Sequence, residues 1–182
     1  MREEFKTYVL TLMNDIPQGF YEGLFSILCF GTVVFFVWRG KQAGRYIAMI
    51  VLLEYTVLIY CSTVLLRATS GVRKYDFHPF WSYTAIQEGR IELLVENIMN
   101  VVVFIPVGLL LSIAFKQVTW WKALLIGCCI SVTIEALQFF FMRGFSELDD
   151  VMHNTVGCIM GYIIYSILVR IFTNTKLKLD YA

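Results

Sequence analysis

The sequence predicts an all-α membrane protein, on three observations: an apolar composition, five hydrophobic runs of spanning length, and no barrel-like alternation within them. Of 182 residues, 58% are hydrophobic and 16% charged, with a mean hydropathy of +0.68, well beyond an average soluble domain. A bilayer core about 30 Å thick takes roughly 20 apolar helical residues to cross. Five runs meet that length, at about 20–38, 46–66, 93–115, 121–142 and 151–172. Backbone polar groups in lipid are satisfied within a helix or a closed barrel, and these runs are too long and uniform for barrel strands. The net charge of +1 gives no excess that would seek a polyanion, which sets nucleic acid aside as a partner.

The chain is expected to fold as an amphipathic helix at 1–18 followed by one transmembrane bundle at 19–182. In the first segment Phe5, Tyr8, Val9, Leu12, Met13 and Ile16 recur at helical spacing, and Pro17 and Gly19 close it. Such a stripe fits a helix lying in the interface, or equally a soluble end docked on the bundle. The first apolar run leads on to others, so this is not a cleavable signal. Five cysteines, Cys29, Cys61, Cys128, Cys129 and Cys158, sit inside apolar runs without CxxC spacing and read as small apolar residues. The one long connection, 67–92, is aromatic and basic enough to be ordered at headgroup level. Basic residues divide eight to seven between the two sides. Those at 39–45, 116–122 and the C-terminus hug the helix ends and are less diluted by acids, which favours that side as cytoplasmic.

Alternation of direction puts the start of the third run, the end of the fourth and the start of the fifth on one side of the membrane. All three places are polar. Asn97, Asn100, Phe104 and Gly108 form one stripe, Glu135, Gln138 and Met142 a second, and Asp150, Asn154, Gly157 and Gly161 a third. By helical rise, Asn100 and Glu135 lie about 10 Å inside their helix ends, and Asn97, Gln138 and Asn154 about 5 Å. Ionisable groups at such depth face the bundle interior or a wet cavity. The expectation is a polar wedge between the third, fourth and fifth helices, open to one surface.

These residues also carry a family likeness. "ENIMNVVVFIPVG", then "EALQ", an Arg, and "DDVMHNTVGCIMGY", preceded by "HPFWSY", resemble the VanZ-like family of bacterial membrane proteins over about residues 67–165. The resemblance rests on Asn97, Asn100, Pro106, Gly108, Glu135, Gln138, Arg143, Asp149, Asp150, Asn154 and Gly157 in order. It implies a multi-pass protein of the bacterial cell membrane and an association with resistance to the glycopeptide teicoplanin.

The candidate ligand-binding residues are therefore Asn97, Asn100, Glu135, Gln138, Arg143, Asp149, Asp150 and Asn154, with Glu135 and Asp150 the candidates for catalysis if there is any. Each has a plainer reading beside it. Glu135 is a proton carrier, base or cation ligand, or else a carboxyl joining helices. Arg143 clamps a ligand anion, or pairs with Asp149 or Asp150. The two aspartates open the fifth helix, where capping its free N–H groups accounts for one of them. Asn97, Asn100 and Gln138 line a pocket or are interhelical glue, and Asn154 lies one turn beyond Asp150 on the same face. Pro106 frees a backbone carbonyl and bends the third helix. Glu54 sits near the floor of the wedge or is buried against Tyr55 or Tyr60. Glu135, Asp149, Asp150 and His153 match no metal motif, and neither a metal nor another cofactor is expected. His78 and His153 take no assigned role.

Three functions stay open: binding of an amphiphile such as a lipid-linked cell-wall precursor or lipoglycopeptide, carboxylate acid–base catalysis on a lipid, and a small transporter or flippase. The last is disfavoured by the lack of an inverted repeat. Membrane lipids are the expected surroundings, and the sequence leaves the oligomeric state open.

Overall fold

The computed structural model describes residues 43–180, with side chains over 44–173. The expected interfacial helix at 1–18 and the first apolar run lie outside the described residues. Among those described, four helices are long and apolar enough to cross a membrane: Gly44–Leu65, Glu92–Ala114, Trp120–Phe141 and Leu148–Thr173. The protein is an all-α membrane protein. Its elements are α1 (Ala43–Tyr60), continued by a π-helical turn (Cys61–Leu65), β1 (Tyr75–Asp76), α2 (Trp81–Gln87), α3 (Glu92–Ala114), α4 (Trp120–Phe141), β2 (Ser146–Glu147) and α5 (Leu148–Asp180). The expected helix at 151–172 starts earlier and runs on, since no Gly or Pro interrupts 173–180.

The widened turn at the end of α1 has a local cause. Ser62 Oγ and Thr63 Oγ1 both donate to the Ile59 carbonyl, at 3.0 and 2.7 Å, and such back-bonding competes with the helical ladder. Leu66 N–H then closes on the Cys61 carbonyl at 2.8 Å. In α3, Pro106 cannot donate to Val102, and the adjacent Val103 carbonyl takes a hydrogen bond from Tyr55 Oη at 2.9 Å. Tyr60 Oη reaches the Ile130 carbonyl at 3.3 Å. Both tyrosines thus tie α1 to its neighbours, and Glu54 points outward from α1 rather than toward them.

A core of Tyr55, Ile59, Val64, Phe104, Val107, Leu111, Ala123, Ile134 and Cys158 joins all four spans. The outer surface stays apolar: Leu53 and Phe140 are each 66% exposed, as lipid in place of water permits. The tightest contact lies between α3 and α5. A Cβ at Gly108 would overlap the Cys158 carbonyl, one at Gly157 the Val101 carbonyl, and one at Gly161 the Ile105 carbonyl. These obstacles are backbone, so they cannot rotate away. Gly157→Leu should therefore lower stability in detergent by roughly 1–3 kcal/mol or more, with Gly157→Ala in between. Parent-like thermal unfolding of the leucine variant would contradict the contact.

The connection 67–92 folds back over one end of the bundle. Tyr75 pairs with Ser146 and Asp76 with Glu147 in a two-residue parallel bridge, and Ser146 N–H donates to the Lys74 carbonyl at 3.0 Å. Ser70 adds its N–H to the Met142 carbonyl at 2.8 Å. This long connection is thereby zipped to the short one after α4, and α2 is laid over the starts of α3 and α5.

Candidate functional site

Asp149 organises the polar layer. It is 1% exposed, and its carboxylate accepts from Phe80 N–H at 2.6 Å, Ser82 N–H at 2.9 Å and Ser82 Oγ at 2.6 Å. These donors form the start of α2. The expectation that an aspartate caps the fifth helix is thus corrected for Asp149: it caps α2, a helix 67 residues away in sequence. Phe80 enters α2 at φ 64°, the left-handed region that is costly for a bulky residue, and this anchor holds it there. Ser82 Oγ in turn accepts from Asn97 Nδ2 at 3.1 Å, so α3, α2 and α5 are joined through one chain of hydrogen bonds.

The carboxyl cluster lies beside that anchor. Glu135 Oε2 accepts from Glu147 N–H at 2.9 Å, and Ser146 Oγ donates to the Glu135 carbonyl at 3.0 Å. Glu135 therefore receives the turn that leads into α5. Asp150 Oδ1 accepts from Asn100 Nδ2 at 2.6 Å, and Glu147 Oε2 accepts from Trp81 Nε1 at 2.9 Å. Asp150 lies within electrostatic reach of Glu96, Glu135 and Glu147, and Glu147 within reach of Glu96 and Glu135, with Arg67 the cation acting on Glu135 and Asp150. Among the described residues no three His, Cys, Asp or Glu side chains are arranged to hold a metal ion.

Glu147 lies just before α5. Burial, and next the Asp150 carboxylate, push its carboxyl up to about 8 from 4.5. In the unfolded chain it ionises near the ordinary value, so between the two pH values the folded state keeps a proton that the unfolded state has lost. The stability linked to this group is complete below pH 4.5 and is lost as pH rises through about 8. Glu147→Gln, which retains an acceptor for the Trp81 indole, should flatten the fall in unfolding temperature across that window. An unchanged pH profile would remove Glu147 from the titrating set.

Gln138, Arg143 and Asn154 face other partners. Gln138 Nε2 donates to the Thr63 carbonyl at 3.2 Å, while its buried Oε1 has no partner among the described residues. Arg143 donates from one guanidinium nitrogen to the Val64 carbonyl at 3.1 Å and to that of Leu65. Instead of pairing with Asp149 or Asp150, it caps the C-terminal end of α1, where a cation suits the helix dipole. Asn154 Nδ2 donates to Ser131 Oγ at 2.8 Å, deeper between α5 and α4. The eight expected residues thus fall into an α2 anchor with Asn97 and Asp149, a carboxyl cluster with Asn100, Glu135 and Asp150, a clasp on α1 with Gln138 and Arg143, and the Asn154 contact below.

Sequence reasoning missed Ser82, Ser131, Glu96 and the role of Glu147. Only Glu147 carried a signal, as a third acid two residues before Asp149. It also left out the pair formed by Tyr83 Oη and His153 Nε2, 2.8 Å apart, with the Asp149 backbone facing the other side of the ring.

A multi-pass bundle with a polar layer roofed by its own connecting loop defines the class: an integral membrane protein with buried polar side chains gathered at one end of its spans. The chain belongs to the VanZ/LLP1 family, whose model matches residues 46–170 and so takes in α1 as well as the region after it. Over 82 residues it is 37% identical to Protein VanZ of Enterococcus faecium, a match covering 45% of this chain and 51% of that protein. The chain thus spans about half the length of this curated relative. No solved structure matches it.

Proposed function

We propose that the polar layer binds the headgroup of an amphiphile, a lipid-linked cell-wall precursor or a lipoglycopeptide, and that the chain acts in glycopeptide resistance of the teicoplanin type. The observation that carries this reading is a buried hydrogen-bonding layer with spare capacity at Gln138 Oε1 among the described residues, beneath a loop whose rim is both aromatic and basic. On that rim Phe77 and Phe80 are more than half exposed, and Arg73 and Lys74 lie nearby in the chain. Aromatic rings suit the headgroup level and the cations suit a pyrophosphate or carboxylate. With the C-terminus cytoplasmic, this layer faces the outside, where a glycopeptide meets the cell.

A photo-reactive phenylalanine at Phe77, in the full chain expressed in a bacterium, tests the reading. Labelling of a lipid-linked cell-wall precursor or of added teicoplanin supports it. Labelling of bulk phospholipid alone overturns it.

One observation favours a second reading, intramembrane acid–base catalysis: Glu147 is held near 8 within reach of Glu135 and Asp150, and two titrating groups near one substrate atom are what such chemistry needs. Turnover of a lipid-linked substrate by purified protein, lost in Glu135→Gln, distinguishes it from binding.

A further inference from the structure

A second polar site lies at the opposite end of the bundle. A cavity of about 300 Å³ opens between the start of α1, the end of α3 and the middle of α5. Its wall includes Arg45, Lys116, Gln117 and Tyr165, with Ser112 and Ser166 behind them. Ser112 and Ser166 spend their hydroxyl protons on the Gly108 and Tyr162 carbonyls, at 2.7 and 2.9 Å, and so offer only lone pairs. The donors available to a ligand are the two cations, the Gln117 amide and the Tyr162 and Tyr165 hydroxyls.

The charge pattern selects an anion. Among the described residues no carboxylate lines the cavity, and Arg45 and Lys116 have no hydrogen-bond or ion-pair partner there. The neighbouring Lys122, by contrast, is engaged with the Gln117 carbonyl at 3.2 Å and the Trp121 ring at 5.6 Å. Two cations on one concave wall without counter-ions are short of negative charge, and guanidinium and ammonium groups both recognise phosphate. The surroundings select a lipid. Phe115, Trp120 and Trp121 are 46%, 60% and 48% exposed around the same end of the spans, the arrangement of an aromatic belt at headgroup depth. Basic pockets between helices at this level hold anionic headgroups.

We propose that this cavity is a binding site for a phosphate-bearing lipid headgroup in the leaflet opposite the polar layer, with Arg45 and Lys116 holding the phosphate. It is separate from that layer, and its test does not depend on what the layer binds.

The test is retention of phosphatidylglycerol by the purified full chain in detergent, followed by native mass spectrometry, against a phosphate-free diacylglycerol glycolipid. Phosphatidylglycerol is expected to be retained preferentially. The double variant Arg45→Gln with Lys116→Gln should weaken it roughly 30-fold. Arg45→Lys should stay within a few-fold of the parent, and Lys116→Gln alone, at an exposed position that the fold does not need, should give about half the loss on a logarithmic scale. Inorganic phosphate that displaces the lipid at comparable concentration would assign the site to a soluble phosphate, and failure to displace assigns it to the lipid. Equal retention of the glycolipid, or undiminished phosphatidylglycerol on Lys116→Gln and the double variant, overturns the proposal.

Discussion

Asp149→Ala is expected to release α2 from the bundle and to lower stability by about 3–5 kcal/mol, because it strands Phe80 N–H, Ser82 N–H and Ser82 Oγ without their acceptor. The loss is large because Ser82 is 1% exposed, so water cannot replace the carboxylate. Asn97 also loses the orientation of its partner hydroxyl. Asp149→Asn should recover part of the loss, since one amide oxygen accepts while the amide NH2 opposes the remaining donors. Ser82→Ala should cost about 1 kcal/mol. The checks are unfolding in detergent and limited trypsin digestion at Arg73 and Lys74, where Asp149→Ala should be cut much faster than the parent. A stable variant with a protected loop would show that α2 is held by something else.

Arg143→Met should cost about 2–4 kcal/mol by leaving the Val64 and Leu65 carbonyls unpaired at the end of α1. These carbonyls lie at the open end of the π-helical turn, and Arg143 binds that turn to the end of α4. Arg143→Lys should fall between the two, because a single ammonium lacks the guanidinium fork. Stability and, on the proposed function, protection against teicoplanin are expected to fall together across the series. If Arg143→Lys keeps the parent's unfolding temperature yet loses protection, Arg143 meets the ligand after all.

The spans were legible because lipid asks only for length and apolarity, and 93–115 and 121–142 agree with α3 and α4 to a residue at each end. The gathering of Asn97, Asn100, Glu135 and Asp150 at one end was legible too, since alternation of direction fixes which helix ends meet. The partners of these residues were not. Asp149 caps a helix 67 positions upstream, and Arg143 reaches carbonyls 79 and 78 positions upstream; sequence spacing gives no sign of contacts that depend on how a loop folds back. The seven-residue α2 is too short to show a period, and the two-residue bridge that buries Glu147 has no pattern at all. The cavity beside Arg45 and Lys116 was likewise invisible, although both residues were already placed on the same side.

Binding rather than reaction is the central claim, and the amide variants Glu135→Gln and Asp150→Asn separate the two. Both keep an oxygen in place, for Glu147 N–H and for Asn100 Nδ2 respectively, while neither can carry a proton in acid–base chemistry. The direct measurement is teicoplanin sensitivity of a susceptible bacterium carrying the parent, each single variant or the double variant, with protein level in the membrane measured alongside. Protection is expected to stay within a few-fold of the parent for all three. Sensitivity equal to that of cells without the protein, at an undiminished protein level, would contradict it and transfer the site to catalysis.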